Sequence, residues 1–517
     1  MGILGKIHVD REINIYILMY ALSYCLIIFN LDFIYWDDWT LVNQAKDDLV
    51  GIFEGAGNPF FGYFHYFMLE ILGIHSYKVL VFISYLISGL ALHGILKTME
   101  VITRCERVVI VAVFLLFPLN FARIALIDSP YALNNMMFFV AFYLFALHIK
   151  TNKPLYRIMS LSLFFFAFMI KSFLVFYLVV FIYFVYKVDG NKISDYLVSI
   201  FKYFDFWILP FLFFAFKSIY FVPQGLYSSY YAITTEKLIN SFDSFWVFER
   251  FTMEFFDLLP SHFSIVGFVI FCSVLTFFVR KWKINLFETG AVVFRKSIVF
   301  LLLGVFFLYI AMYPYLVVNT SPSYYDWDSR HMLLLPLGLS FVVVAVFSTL
   351  KYKSSQSIAF IALMSFFITY NSFAYYNYLV DGLKQDSLLA NIKSSEAIEN
   401  NSTFIIYDET GDYDALRRTY RFYEYGGMID QIYGGQSKFA TQFDRRVPSK
   451  VLSTYLSADL KLKNYTIEEK EINIHIKYGP SRLDIFSTFK LLVMKMYNKI
   501  EYDNAVEKLI QFEVFSE

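Results

Sequence analysis

Two adjacent carboxylates, Asp37 and Asp38, stand between Trp36 and Trp39, directly after the first apolar stretch of the chain. A carboxylate close to a second one and to a low-dielectric wall has a raised pKa and can accept a proton, so the pair is a candidate general base. The other reading is an acidic pair that solvates a helix end. A second group is Asp326-Trp327-Asp328-Ser329-Arg330-His331, which runs straight into Met332-Leu333-Leu334-Leu335-Pro336. A guanidinium suits two-pronged contact with phosphate oxygens, and His331 beside it can donate to the same anion. The alternative for Arg330 is snorkelling at a helix start with Asp326 or Asp328 as partner. Lys171 interrupts the apolar stretch from Phe164 to Tyr186 and needs an anion there, a lipid phosphate or an Asp. Arg123, followed by Asp128, is a further candidate of that kind, with snorkelling as its alternative.

The elements that must position these residues follow from composition. Of 517 residues, 58% are hydrophobic and 17% charged, with mean hydropathy +0.52, which is too apolar for a soluble chain of this size. Lys plus Arg and Asp plus Glu balance at 44 each, so net charge offers no argument for nucleic acid as a partner. Cys25, Cys105 and Cys272 are far apart and suggest neither a disulfide framework nor a cysteine metal site.

Apolar runs long enough to cross a bilayer as helices are expected at about 13–31, 76–96, 107–119, 132–149, 156–170, 173–186, 203–221, 263–279, 298–318, 332–350 and 357–376, about eleven spans. The first is read as a retained anchor, since Asp and Trp follow it rather than a small-residue cleavage site. With the N-terminus inside, the basic clusters at Lys97–Arg107, Lys150–Arg157, Lys187–Lys202 and Arg280–Lys296 all fall on the cytoplasmic side. Fusing the two short runs on either side of Lys171 reverses that pattern, so they are read as separate.

The outer loops are then 32–75, 222–262 and 319–331, and they carry all of the candidate chemistry except Lys171 and Arg123, which lie in shorter outer turns. Residues 41–73 predict two interfacial helices joined at Gly55-Ala56-Gly57-Asn58-Pro59, and Thr235–Leu259 predicts an amphipathic helix along the surface. Residues 1–380 make a transmembrane catalytic domain, and 381–517 a soluble extracytoplasmic domain of small α/β or α+β type. In the latter, Thr403–Tyr407 and Ile472–Tyr478 read as strands and Leu483–Ile500 as an amphipathic helix.

His65 and Glu70 are five residues apart, which matches no helical metal pair, and nothing in the pattern supports a divalent metal at Asp37 or Asp38, so no cofactor is expected. No Walker loop, G-x-G-x-x-G or G-x-S-x-G occurs in a helix-opening context, which disfavours nucleotide hydrolysis and serine hydrolase chemistry.

The arrangement resembles the GT-C superfamily of membrane glycosyltransferases, which use polyprenyl-phosphate sugars. The likeness rests on the Asp-Asp pair in an outer loop with interfacial helices, on tight inner loops, and on Arg330-His331-Met332-Leu333-Leu334-Leu335-Pro336, which looks like an Arg-Tyr-x-Leu-Pro stretch. Asp38 stands where the protein mannosyltransferase and aminoarabinose transferase branches have Glu, and His331 where related families often have Tyr. The resemblance implies inverting single displacement on the outer face of the membrane. Asp37 or Asp38 takes the proton of the acceptor, and the departing polyprenyl phosphate is held by Arg330 with Lys171 or His331. Implied partners are a polyprenyl-phosphate sugar donor, a glycan, lipid or protein acceptor of the cell envelope, and membrane lipids. A bacterial inner membrane suits the simple inner loops. A polymerase or ligase of lipid-linked surface glycans is the alternative enzyme. A lipid or solute transporter is the non-enzymatic one, although the charges here sit at span ends rather than at their centres.

Overall fold

The structure, a computed structural model, describes residues 11–42, 44–188, 192–225, 227–228, 234–241, 245–281, 294–350, 352–434, 438–442 and 471–516. Apolar runs become helices because only there does each strand of backbone satisfy its own N–H and C=O groups without water. Five described helices are long and apolar enough to cross a membrane: Arg11–Asn30, Ile74–Lys97, Leu126–Thr151, Arg295–Leu316 and Lys353–Ser394. The number rises to eight if each of three bent helix pairs is one span. These pairs are Ile193–Lys202 with Phe204–Tyr220 (60°), Val247–His262 with Ile265–Lys281 (90°), and Asp326–Met332 with Leu335–Phe347 (66°). Pro154–Ala167, Ser172–Lys187 and Arg104–Leu116 are shorter apolar helices. Lys171 sits in the break between two of them.

Local signals set many helix starts. Proline occupies the first turn of Pro59–Phe67, Ser129–Thr151, Pro154–Ala167 and Leu335–Phe347, where its missing N–H costs nothing. Thr103 and Glu106 form a reciprocal capping box at the start of Arg104–Leu116. At the end of the bundle where the first span begins, Glu12 is buried and accepts from Arg107 at 3.2 Å and from Arg104.

The axis of the molecule is the helix Lys353–Ser394, whose 42 residues make it about 60 Å long, roughly twice the thickness of a bilayer core. Its first half packs against Arg11–Tyr24, Arg104–Leu116 and Ile265–Lys281; its second half enters the C-terminal domain, running unbroken past residue 380. Gly382 faces Phe33, and a Cβ at that position would come within 2.3 Å of the ring, so glycine is what lets the exit of the first span lie against this helix.

The C-terminal domain is a four-stranded sheet in the order β2-β1-β3-β4, with β1 Thr403–Asp408, β2 Phe439–Gln442, β3 Ile472–Tyr478 and β4 Ile510–Ser516. β1 pairs in parallel with β2 and β3, and β3 pairs antiparallel with β4. Ile472, Ile474 and Ile476 alternate inward along β3 and form part of its core with Phe404 and Ile406. The expected helix at 483–500 is two helices, Ile485–Tyr497 and Lys499–Val506, separated at Asn498. Buried Lys384 ties the long helix to this domain through Asp408 (2.7 Å) and Asp414 (2.6 Å).

Candidate functional site

The chain leaves the first span into a loop that is fixed before it reaches the carboxylates. The Lys78 ammonium donates to the carbonyls of Asn30 and Phe33, the latter at 2.6 Å, and so caps the end of the span. The Tyr35 hydroxyl is bonded to Asn30 Oδ1 (2.7 Å) and to the Tyr378 carbonyl on the long helix (2.6 Å). Trp36 then takes a left-handed conformation with φ 55°, as does Asp326 in the second loop with φ 50°. A side chain in that region costs about 1–2 kcal/mol, and such residues collect where surrounding structure enforces a special geometry.

That turn sends the two carboxylates different ways. Asp38 is fully buried and accepts from the N–H groups of Leu126 (2.7 Å), Ile127 (2.9 Å) and Tyr35 (3.4 Å). It pins the segment 121–128 to the first loop. Burial raises its pKa, while those N–H groups and Lys78 act in the opposite direction. Asp37 is half-buried. Burial pushes its pKa up, Asp326 adds to the rise, and Tyr423, Arg330 and Arg421 pull it back down. Of the two, Asp37 is the less buried residue, and charged and hydroxyl side chains rather than backbone N–H groups act on it.

The two motifs meet. Trp36 stacks on Trp327 with centroids 5.1 Å apart and planes 13° off parallel. The Arg330 guanidinium lies 4.6 Å from the Trp36 ring centre, and that of Arg418 lies 5.2 Å from Trp327. The run Arg330, Trp36, Trp327, Arg418 thus joins the first loop, the second loop and the C-terminal domain. Arg330 also donates to the Trp327 carbonyl at 3.4 Å. Ser329 accepts from the Ala122 N–H at 2.8 Å, which ties in the segment carrying Arg123 and Asp128.

The remaining predicted residues sit around this centre in different ways. His331 is buried, its ring 4.8 Å from Tyr315, so it packs beneath the loop. Lys171 is exposed; its neighbour Ser172 accepts a hydrogen bond of 3.4 Å from the Tyr315 hydroxyl, and the Tyr315 ring in turn meets His331. Arg123 is buried among Tyr24 (4.3 Å), Tyr85 (4.6 Å), Phe82 (5.1 Å) and Tyr375, and its Nε donates to the Tyr375 hydroxyl at 2.9 Å. That cage accounts for a buried cation by ring quadrupoles. His65 is buried between Phe53 and Tyr77, and Glu70 is exposed. Among the described residues, no group of three or more His, Cys, Asp or Glu side chains is placed to hold a metal ion.

Asp128, a candidate beside Arg123 in the sequence, is buried with Oδ2 lacking a hydrogen-bond partner, and the charges acting on it are Arg330, Asp38 and Asp37. It stands directly before the helix Ser129–Thr151 without making a side-chain capping bond. Other participants come from outside the motifs. Arg421, Tyr423 and Glu424 come from the start of the helix Phe422–Tyr433. Arg421 pairs with Asp326 at 2.6 Å, and Glu424 accepts from the Trp36 N–H at 3.2 Å and from Arg418. Gly427 on that helix abuts Trp39: a Cβ there would lie 2.8 Å from the Trp39 Cβ. Only their spatial arrival at Asp37 marks these residues. Buried polar atoms without partners gather here, with Asp128 Oδ2, Asp326 Oδ1 and Trp36 Nε1 among them. Each costs about 1–3 kcal/mol unless a water or a ligand meets it.

A shallow apolar depression of about 10 Å³, lined by Phe248, Phe251, Leu308, Met312, Pro322 and Leu335 among others, lies between the helices that flank the loop carrying Arg330. No protein-family model matches the chain, and no curated protein matches it.

Proposed function

We propose that the protein is a membrane glycosyltransferase that moves a sugar from a polyprenyl-phosphate donor to a cell-envelope acceptor. In this reading the chain spans a bacterial inner membrane about eleven times, with the short helices crossing as well, and the site end faces outward. Asp37 removes the proton of the acceptor hydroxyl or amine as that atom attacks the anomeric carbon. The bond from that carbon to the phosphate oxygen breaks, and the polyprenyl phosphate leaves with the electron pair. Arg330 stabilises the phosphate charge. Phosphate leaves without protonation, so a single base suffices.

The observation that carries the reading is that Arg330 acts electrostatically on both Asp37 and Asp128 at one end of an apolar bundle, beside a stacked Trp36–Trp327 pair. Asp38, saturated by backbone N–H groups, acts in shaping the loop. The test is release of polyprenyl phosphate by the full chain in lipid nanodiscs, given a panel of polyprenyl-phosphate hexoses and pentoses with envelope extract as acceptor. Release with at least one donor, slowed roughly 100-fold or more in Arg330→Gln, is the expected result. Failure with every donor contradicts the reading.

A further inference from the structure

The C-terminal helix Ile485–Tyr497 carries more apolar surface than its own domain uses. Thr488, Leu491 and Leu492 are buried, the two leucines in the apolar cluster that they share with the span bundle. On other faces, Phe486 is 86% exposed, Met496 65% and Tyr497 82%, and Ile500 just beyond the helix is 77% exposed. With Val493, also exposed, Phe486, Met496 and Tyr497 fall at helical spacing and form one stripe; Ile500 is exposed beyond the break at Asn498. A helix apolar on two faces, one of them unburied, is not explained by a soluble domain.

The stripe has a defined neighbour. Half-buried Phe489, on the same helix, meets Phe29 edge-on with ring centroids 6.4 Å apart. Phe29 and exposed Ile28 lie at the end of the first span, Arg11–Asn30. The stripe is therefore continuous with the lipid-facing surface of a span at the level where that span ends. Two contacts hold the helix at this level. Lys495 pairs with Asp386 on the long helix at 3.0 Å, and the Tyr376 hydroxyl meets Thr488 at 3.2 Å. Lys490 and Lys499 flank the stripe and are exposed, as cations beside lipid phosphates are.

We propose that the segment 485–500 lies in the plane of the bilayer interface, its exposed stripe in the acyl–headgroup boundary, and anchors the C-terminal domain to the lipid surface over the end that carries Asp37. This rests on the chain being membrane-spanning and not on the transferase reading. A helix of this kind sinks its apolar face to shallow depth and leaves its lysines at the phosphates. The occupant of the stripe is lipid, and a second copy of the chain is the competing occupant that the test must separate.

The experiment uses the full chain with Cys25→Ser, Cys105→Ser and Cys272→Ser, in nanodiscs of phosphatidylethanolamine and phosphatidylglycerol. Nitroxide labels are placed one at a time at Phe486→Cys, Val493→Cys and Met496→Cys. The reference label is at Glu396→Cys, an exposed position beyond the far end of the long helix. Power saturation with oxygen and with a water-soluble nickel chelate is expected to give a severalfold higher oxygen-to-nickel ratio at the three stripe positions than at Glu396→Cys. A membrane-impermeant maleimide is expected to modify the unlabelled stripe cysteines severalfold more slowly than Glu396→Cys, a readout that does not depend on the nitroxide. Equal ratios and equal rates would overturn the proposal, and so would dipolar broadening between stripe labels of two chains.

Discussion

Arg418 and Arg330 flank the same pair of indoles, yet they are set in opposite surroundings. Arg418 holds Asp381 with two parallel bonds (3.0 and 2.9 Å) and also reaches Glu424, and all three side chains are buried. The carboxylates on which Arg330 acts include exposed Asp328, half-buried Asp37 and buried Asp128, the last with an unpartnered oxygen. Arg418 is thus saturated by carboxylates on the domain side of the Trp327–Trp36 stack, whereas on the other side Asp128 keeps a buried oxygen without a hydrogen-bond partner. A saturated buried pair fixes structure; a buried carboxylate oxygen without a partner calls for a ligand or a water. The same contrast separates adjacent residues of one motif, since Asp38 is satisfied by backbone and Asp37 is not.

The sharpest way to break this contrast is Arg418→Ala, which strands Asp381 and Glu424 as buried carboxylates. It is expected to destabilise the C-terminal domain by about 3–5 kcal/mol, read as early loss of that domain in thermal or denaturant melts of the nanodisc protein. A melt unchanged from wild type contradicts the structural role. Asp38→Asn replaces an acceptor of three N–H bonds with a carboxamide that accepts through one oxygen only. A loss of about 1–3 kcal/mol follows, with greater exchange of the Leu126 and Ile127 amides as the local signature. Arg330→Lys keeps the charge and loses the planar fork. The expected effect is about a tenfold slower transfer, on the order of one charge-assisted hydrogen bond, with melting unchanged.

The smallest effect is a displacement along the pH axis. In the proposed reading Asp37 works as a base only when ionised, so the rate falls as pH drops through a pKa raised from its ordinary value. Arg421 lowers that pKa and also neutralises Asp326, which raises it. Arg421→Gln removes both restraints, and the acid limb of the rate profile is expected to move to higher pH. Movement to lower pH contradicts the assignment of the limb to Asp37.

How much of this was legible in the sequence follows the range of the forces involved. Apolar runs announce helices because hydropathy is local, and Asp37-Asp38 and Arg330-His331 were conspicuous because each is a compact motif beside such a run. The division of labour within the pair was not legible: it depends on the N–H groups of Leu126 and Ile127 turning toward Asp38, a geometry set by another loop. The aromatic cage of Arg123 draws Tyr24, Phe82 and Tyr375 from three different spans, so no window of sequence contains it. Arg421 and Tyr423 lie in a polar segment with no motif and become part of the site only because Gly427 lets their helix approach Trp39.

The central claim is that Asp37 is the base and Asp38 the brace. Its most direct test is transfer rate and melting midpoint measured side by side on Asp37→Asn and Asp38→Asn in the same nanodisc preparation. The account predicts that Asp37→Asn melts as wild type and loses roughly 100- to 10,000-fold of the rate, while Asp38→Asn melts early and, where still folded, keeps a measurable rate. A fully active Asp37→Asn protein, or an inactive Asp38→Asn protein with wild-type melting, contradicts it.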